Sequence, residues 1–128
     1  MIFFHKLGVK YFFDQNFALN IALQEAQKEF ISKLTEHDSG KKIFPLFCSE
    51  CPGWVCYAEK ILKEEIIEKM SKVKSPQQVM GNLIKDVFSD IIEHKKEEIY
   101  HMSIQPCYDK KLEATRPEFE RNLPLKSC

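Results

Sequence analysis

The stretch Ile43-Phe44-Pro45-Leu46-Phe47-Cys48-Ser49-Glu50-Cys51-Pro52-Gly53-Trp54 decides how the chain is read. An apolar run of strand length leads into a cysteine-bearing turn. Pro52 then stands where a helix can begin, because proline at the first helical position removes only an amide that has no partner there. Trp54, Val55, Ala58, Ile61 and Leu62 give that helix an apolar side. Pro45 weakens the strand, since proline donates nothing to a ladder.

Upstream, Val9-Lys10-Tyr11-Phe12-Phe13 is aromatic and β-branched and stops at Asp14-Gln15-Asn16, which reads as a buried strand followed by a helix start. Leu19, Leu23, Ala26, Phe30 and Leu34 then recur at helical spacing, and His37-Asp38-Ser39-Gly40 ends the helix. Downstream, Ser75-Pro76-Gln77-Gln78 reads as a capping box with proline in the first turn. It opens a helix striped by Val79, Met80, Leu83, Ile84, Val87, Phe88 and Ile91. Residues 99–105 alternate roughly as a strand, and a last short helix is expected from Asp109 to about Phe119. The order is strand, helix, strand, helix, helix, strand, helix. It predicts an α/β fold, one lobe of a helix-flanked, mainly parallel sheet.

The chain has 128 residues, a little under one average domain, so a single domain over 1–128 is expected. At 44% hydrophobic and 12% aromatic, with four glycines and six prolines, it is not a disordered or low-complexity chain. Nineteen basic against nineteen acidic residues give zero formal charge and no clustered positive field, which argues against nucleic acid as a partner. No apolar run approaches the ~18 residues of a membrane span, so no membrane role is expected. The start of the chain, with His5 and Lys6 inside a short apolar stretch and no small-residue cleavage site, does not read as a signal peptide.

Five cysteines without a secretory signal suggest a reducing compartment, where thiols serve metals or redox chemistry. In parallel α/β layers, functional groups gather past the carboxyl ends of strands. Cys48, Cys51 and Cys107 each fall just beyond a predicted strand, so distant parts of the chain can bring them to one place. Cys48 and Cys51 admit a thiol–disulfide reading as well as a thiophilic metal or iron–sulfur reading. Cys56, two residues past Trp54, reads as a small buried hydrophobe, and Cys128 as a terminal thiol. His5, His37, His94 and His101 lack ligand-like spacing and are expected in surface or turn roles.

Three motifs in order, Cys51-Pro52-Gly53-Trp54, Ser75-Pro76-Gln77-Gln78-Val79-Met80-Gly81 and Pro106-Cys107-Tyr108-Asp109-Lys110-Lys111-Leu112-Glu113-Ala114, resemble the iron-only hydrogenase large-subunit family. The likeness is closer to its eukaryotic branch, that of nuclear prelamin A recognition factor and a cytosolic iron–sulfur assembly component. The resemblance implies that Cys51 and Cys107 are two of four ligands to a [4Fe-4S] cluster, with Lys110 and Lys111 balancing its charge. Cys48, where the family usually has a small residue, is a candidate auxiliary ligand.

The family's other two ligands lie in a later motif rich in cysteine and glycine. This chain ends before it, so the ligand set is incomplete and the domain is expected to be partial. Glu50 stands where active hydrogenases carry a proton-relaying cysteine. The resemblance therefore implies a non-catalytic carrier or adaptor in cytosolic iron–sulfur protein assembly, linking early scaffold to late targeting complex, in the cytoplasm and also the nucleus. The alternatives it leaves are a hydrogenase-type oxidoreductase and a metal-free module that binds a prelamin-type partner.

Overall fold

The computed structural model describes residues 2–40 and 42–116. Cys128, and the end of the predicted last helix at Pro117 to Phe119, lie outside the described residues. The elements are α1 (Ile2–Lys6), α2 (Gln15–Asp38), α3 (Pro52–Ile61), α4 (Glu64–Ile67) and α5 (Pro76–Asn82). α5 runs directly into a π-helical stretch (Leu83–Phe88) and then α6 (Ser89–Ile91). A 3₁₀ turn (Lys96–Glu98) and α7 (Lys110–Ala114) follow.

Helix boundaries follow local chemistry. The Asp14 carboxylate accepts the Asn16 amide at 2.9 Å and starts α2. Ser39 caps its end, and Gly40 leaves it with φ +100°, a conformation glycine adopts at no steric cost. Pro52 and Pro76 occupy the first turns of α3 and α5. α1 and α4, two short helices, were not foreseen.

The predicted parallel sheet is not present among the described residues. The three apolar runs 9–13, 43–47 and 99–105 carry no strand, and the one β pairing is an isolated parallel bridge between Phe47 and Met70. It is closed by the Phe47 amide donating to the Lys69 carbonyl (2.9 Å) and the Ser71 amide to the Phe47 carbonyl (2.7 Å). A parallel strand is stable only with neighbours on its ladder and cover on both faces. Here aromatic side chains of the first two runs pack on helices. Tyr11 and Phe13 meet the Phe88 ring edge to face at 5.0 and 4.8 Å, and Phe44 lies 5.6 Å from the Phe30 ring.

The core is small: Ala18 on α2 against Met80 and Ile84, with Val79 and Ile99 packed on it. The stripe predicted to be the buried face of α2 is a second correction. Leu19, Leu23, Phe30 and Leu34 are exposed, and the buried positions are Ala18 and Ala22. Alanines one turn apart let α5 approach α2 closely, whereas Leu19, Leu23 and Leu34 stay exposed among the described residues. A third correction concerns the helix after Pro76. Met80 and Ile84 are buried as expected, but Val87 and Ile91 are exposed and Ser89 is buried instead. The π turns advance by i+5 bonding, so the 3.6-residue phase read from sequence is lost beyond Ile84. The Ser89 hydroxyl donates to the Lys85 carbonyl at 2.7 Å.

Beside this core, residues 7–15 and 98–105 flank a groove of about 880 Å³ that His101 lines. Burial, and secondly the nearby Lys85 ammonium, hold the His101 pKa below its ordinary value. The imidazole is therefore neutral in the fold over a range where the unfolded chain charges it. Stability from this group is complete above about pH 6.5, the unfolded value, and falls as pH drops through the lower folded value. Urea midpoints at pH ~7.5 and ~5.5 are expected to drop more for the wild type than for His101→Gln. Equal drops would remove His101 as the cause.

Candidate metal centre

The site forms where the beginning of α3 meets the beginning of α7. Cys51 is the residue that caps α3, with extended backbone (φ −86°, ψ 115°), and its thiol makes no capping hydrogen bond. The Ser49 hydroxyl steadies this turn, accepting the Cys51 amide at 3.2 Å and donating to its carbonyl at 3.1 Å. Cys107 lies in the turn that enters α7, where the Lys110 amide donates to the Cys107 carbonyl at 3.2 Å. Asp109 caps α7, yet its carboxylate makes no capping bond. It faces Cys51 instead, with Sγ and Oδ2 3.9 Å apart.

One ligand atom from each of Cys51, Cys107 and Asp109 lies within 4.8 Å of the others. Cys51 is exposed and the other two are half-buried. Gly53 makes the approach feasible. A Cβ there would stand 2.3 Å from Asp109 Oδ2, 3.1 Å from its Cγ and 3.5 Å from Cys51 Sγ. Gly53→Ala is expected to turn the Asp109 carboxylate away from Cys51 at little net cost in urea unfolding, because the clash is with the free end of a side chain and alanine is favoured over glycine within a helix by about 1 kcal/mol. A large loss would show that the carboxylate is held in place.

α7 is fixed on two sides. The Arg116 guanidinium forks onto Glu59 of α3 at 2.6 and 3.2 Å, a paired geometry stronger than a single contact. On the other side, Lys110 Nζ and Glu113 Oε2 form a 3.0 Å ion pair whose side chains are each 8% exposed. The Ser75 hydroxyl donates to the other Glu113 oxygen while accepting the Gln78 amide at 3.4 Å. The Gln77 side-chain amide donates to the Lys110 carbonyl at 3.3 Å, leaving its own Oε1 buried without a partner among the described residues. Ser75 thus caps α5 as expected, but the return bond from Gln78 is not formed, and the hydroxyl proton goes to Glu113.

The structure brings together Cys51 and Cys107, as the strand-end argument anticipated, though across loops instead of a sheet edge. Cys48 is exposed and outside the three-residue group. Cys56 is half-buried in α3. Lys110 is engaged with Glu113, while Lys111 is exposed. Sequence reading missed Asp109, Gly53 and Glu113 as contributors. All three lie inside the quoted motifs, and Asp109 stands only two residues past a singled-out cysteine.

The family described as the iron only hydrogenase large subunit, C-terminal domain, matches residues 1–127. "Cytosolic Fe-S cluster assembly factor narfl" of Xenopus tropicalis is 50% identical over 117 residues, 91% of this chain and 25% of that protein. "Cytosolic iron-sulfur assembly component 3" of Rattus norvegicus is 49% identical over the same shares. "Nuclear prelamin A recognition factor" of Mus musculus is 46% identical over 114 residues, 89% of this chain and 25% of that protein. The chain spans about a quarter of the length of these curated relatives.

Proposed function

The chain belongs to the iron-only hydrogenase large-subunit family, and from that premise we propose that it serves cytosolic iron–sulfur protein assembly as a non-catalytic, iron–sulfur-associated component. The observation that carries this reading is the meeting of Cys51 and Cys107, distant in sequence, within 4.8 Å. Thiolates are soft donors suited to iron–sulfur centres. The names of the relatives, assembly factors among them, support the pathway.

In this reading Cys51 and Cys107 are two ligands of a [4Fe-4S] cluster. Such a cluster takes four cysteines, so the donor chemistry fits, and Cys48 or a partner chain would complete the set. The chain then acts as one part of a larger domain. Cys48 serves as an auxiliary ligand, and exposed Lys111 supplies the positive charge expected of the Lys110–Lys111 pair, since Lys110 is paired with Glu113. Glu50 leaves no thiol next to Cys51 for proton relay, which favours assembly over hydrogen chemistry. Partners are other proteins of the assembly pathway, its targeting complex included, in the cytoplasm. No helix among the described residues is long and apolar enough to cross a membrane.

A second reading, a metal-free module for a prelamin-type partner in the nucleus, is favoured by the 46% identity to the prelamin A recognition factor. Anaerobic reconstitution of the 128-residue chain with iron and sulfide separates the two. Partial retention of iron and sulfide, with broad visible absorption, is expected where Cys48 completes the set. A folded sample that retains neither would leave the metal-free reading in place.

A further inference from the structure

The groove beside the core has two walls whose main chain is left unpaired. The apolar runs 9–13 and 99–105, which carry no strand, both line it. Among the described residues, no backbone–backbone hydrogen bond uses an amide or carbonyl of residues 10–13 or 101–105. An unpaired run of this kind is a ready template for another strand. The walls are tied at one end, where the Gln105 side-chain amide donates to Gln15 Oε1 at 2.7 Å. Gln15 follows the first run and Gln105 closes the second, so both walls reach that end in the same chain direction. Met80, Ile84 and Phe88 line the groove from the helix that Pro76 starts, and Tyr11 and Phe13 lean on the Phe88 ring.

We propose that this groove receives one extended, apolar β-strand of a second polypeptide, paired through its main chain with residues 10–13 on one side and 101–105 on the other. What lines the groove selects its occupant. Free N–H and C=O groups on both walls match a single strand, which presents donors and acceptors along both of its edges. Each wall spans about five residues, roughly 17 Å at 3.3 Å per residue, the length of an ordinary strand. The apolar floor takes every second side chain of such a strand. Gln77 also lines the groove, and its Oε1 is buried without a partner among the described residues. It is an acceptor that an incoming donor can satisfy. The third apolar run of this chain does not supply the strand. Phe47 is already bridged to Met70, Phe44 lies against the Phe30 ring, and Pro45 has no amide to donate.

No cysteine among the described residues lines the groove, so this surface stands or falls apart from the cluster. Suitable probes are three fluorescein-labelled peptides of about six residues, in which threonine alternates with valine, isoleucine or phenylalanine. At least one is expected to bind the full 128-residue chain saturably in fluorescence anisotropy. The same peptide N-methylated at alternate amides keeps its apolar side chains but loses the donors along one edge. It is expected to bind at least tenfold more weakly, since about three hydrogen bonds go with the methyl groups. Hydrogen exchange read by mass spectrometry is expected to show the unmethylated peptide protecting amides in both 10–13 and 101–105.

Ile104 lines the groove and is 69% exposed, so Ile104→Lys should fold as the wild type does, verified by circular dichroism, while binding the peptide at least tenfold more weakly. Cys51→Ser is expected to bind it with wild-type affinity. No saturable binding of any of the three peptides, equal affinity for the N-methylated form, or protection on one wall only would overturn the proposal. So would self-association of the chain, read by sedimentation and reversed by the peptide, because a second copy would then be the occupant. Failure of the peptides while iron and sulfide are still retained would remove the docking groove and leave the assignment of Cys51 and Cys107 standing.

Discussion

Cys51→Ser and Cys107→Ser are each expected to take iron and sulfide retention from the wild-type level to near zero. Serine is nearly isosteric with cysteine, so the change tests chemistry more than shape. The ligand is the thiolate, which forms readily near neutral pH and is soft, whereas a serine hydroxyl stays protonated and is hard. Neither substitution should unfold the chain. Cys51 is exposed and caps α3 without using its side chain, and serine at that position can add a capping bond of about 0.5–2 kcal/mol. Cys107 is half-buried in a turn held by its backbone carbonyl. Iron and sulfide counts after anaerobic reconstitution, with unfolding curves on the same samples, decide the matter. Retention in either variant would separate the two cysteines into different roles. Cys48→Ser run alongside reports the auxiliary ligand: partial loss gives Cys48 a place in the set, and full retention excludes it.

The sequence told most where chemistry is local. Asp14, Gly40, Pro52, Ser75 and Pro76 mark helix ends through bonds and dihedrals that depend on near neighbours, and each does so in the structure. It told less where the answer depends on what packs opposite. The apolar runs at 9–13, 43–47 and 99–105 have strand composition, but a ladder needs partners that these runs do not give one another. Periodicity alone cannot tell such a run from one that lines helices. On α2 the leucine stripe was the stronger hydrophobic signal, yet the small face of Ala18 and Ala22 packs, because close helix approach favours small side chains over large ones. The π turns of Leu83–Phe88 have no signature in composition and shift every later position.

The site divides the same way. That Cys51 and Cys107 converge was legible, although the strand ends invoked for it are not formed among the described residues and Cys48, expected with them, lies outside the group. Asp109 was quoted in a motif and left without a role, because a carboxylate ahead of a helix ordinarily reads as its cap. Only the geometry shows it turned toward Cys51. Glu113 was quoted in the same motif without a role, and its burial against Lys110 and Ser75 depends on α7 lying on α5.

That burial sets up the second large effect. Glu113→Ala is expected to destabilise the chain by about 3–5 kcal/mol, the cost of leaving a buried charge without its partner. The Lys110 ammonium would stay enclosed, 8% exposed, and the Ser75 hydroxyl would lose its acceptor as well. Small domains have only about 5–15 kcal/mol in total, so the urea midpoint should fall steeply. Glu113→Gln keeps the size and can still accept from Ser75, but it also leaves Lys110 uncompensated and should lose most of the same energy. Replacing both charges, Lys110→Met with Glu113→Gln, removes the unpaired ion and is expected to recover much of the loss. A double variant no better than Glu113→Gln alone would mean that packing, and not charge, is what Glu113 provides. The consequence reaches the metal centre. Glu113 touches neither thiol, but it joins α7 to α5, and α7 carries Asp109 at its start with Cys107 in the turn before it. Under conditions where Glu113→Gln remains folded, its iron and sulfide retention should still fall below that of the wild type, because the turn that holds Cys107 is positioned by the helix Glu113 anchors.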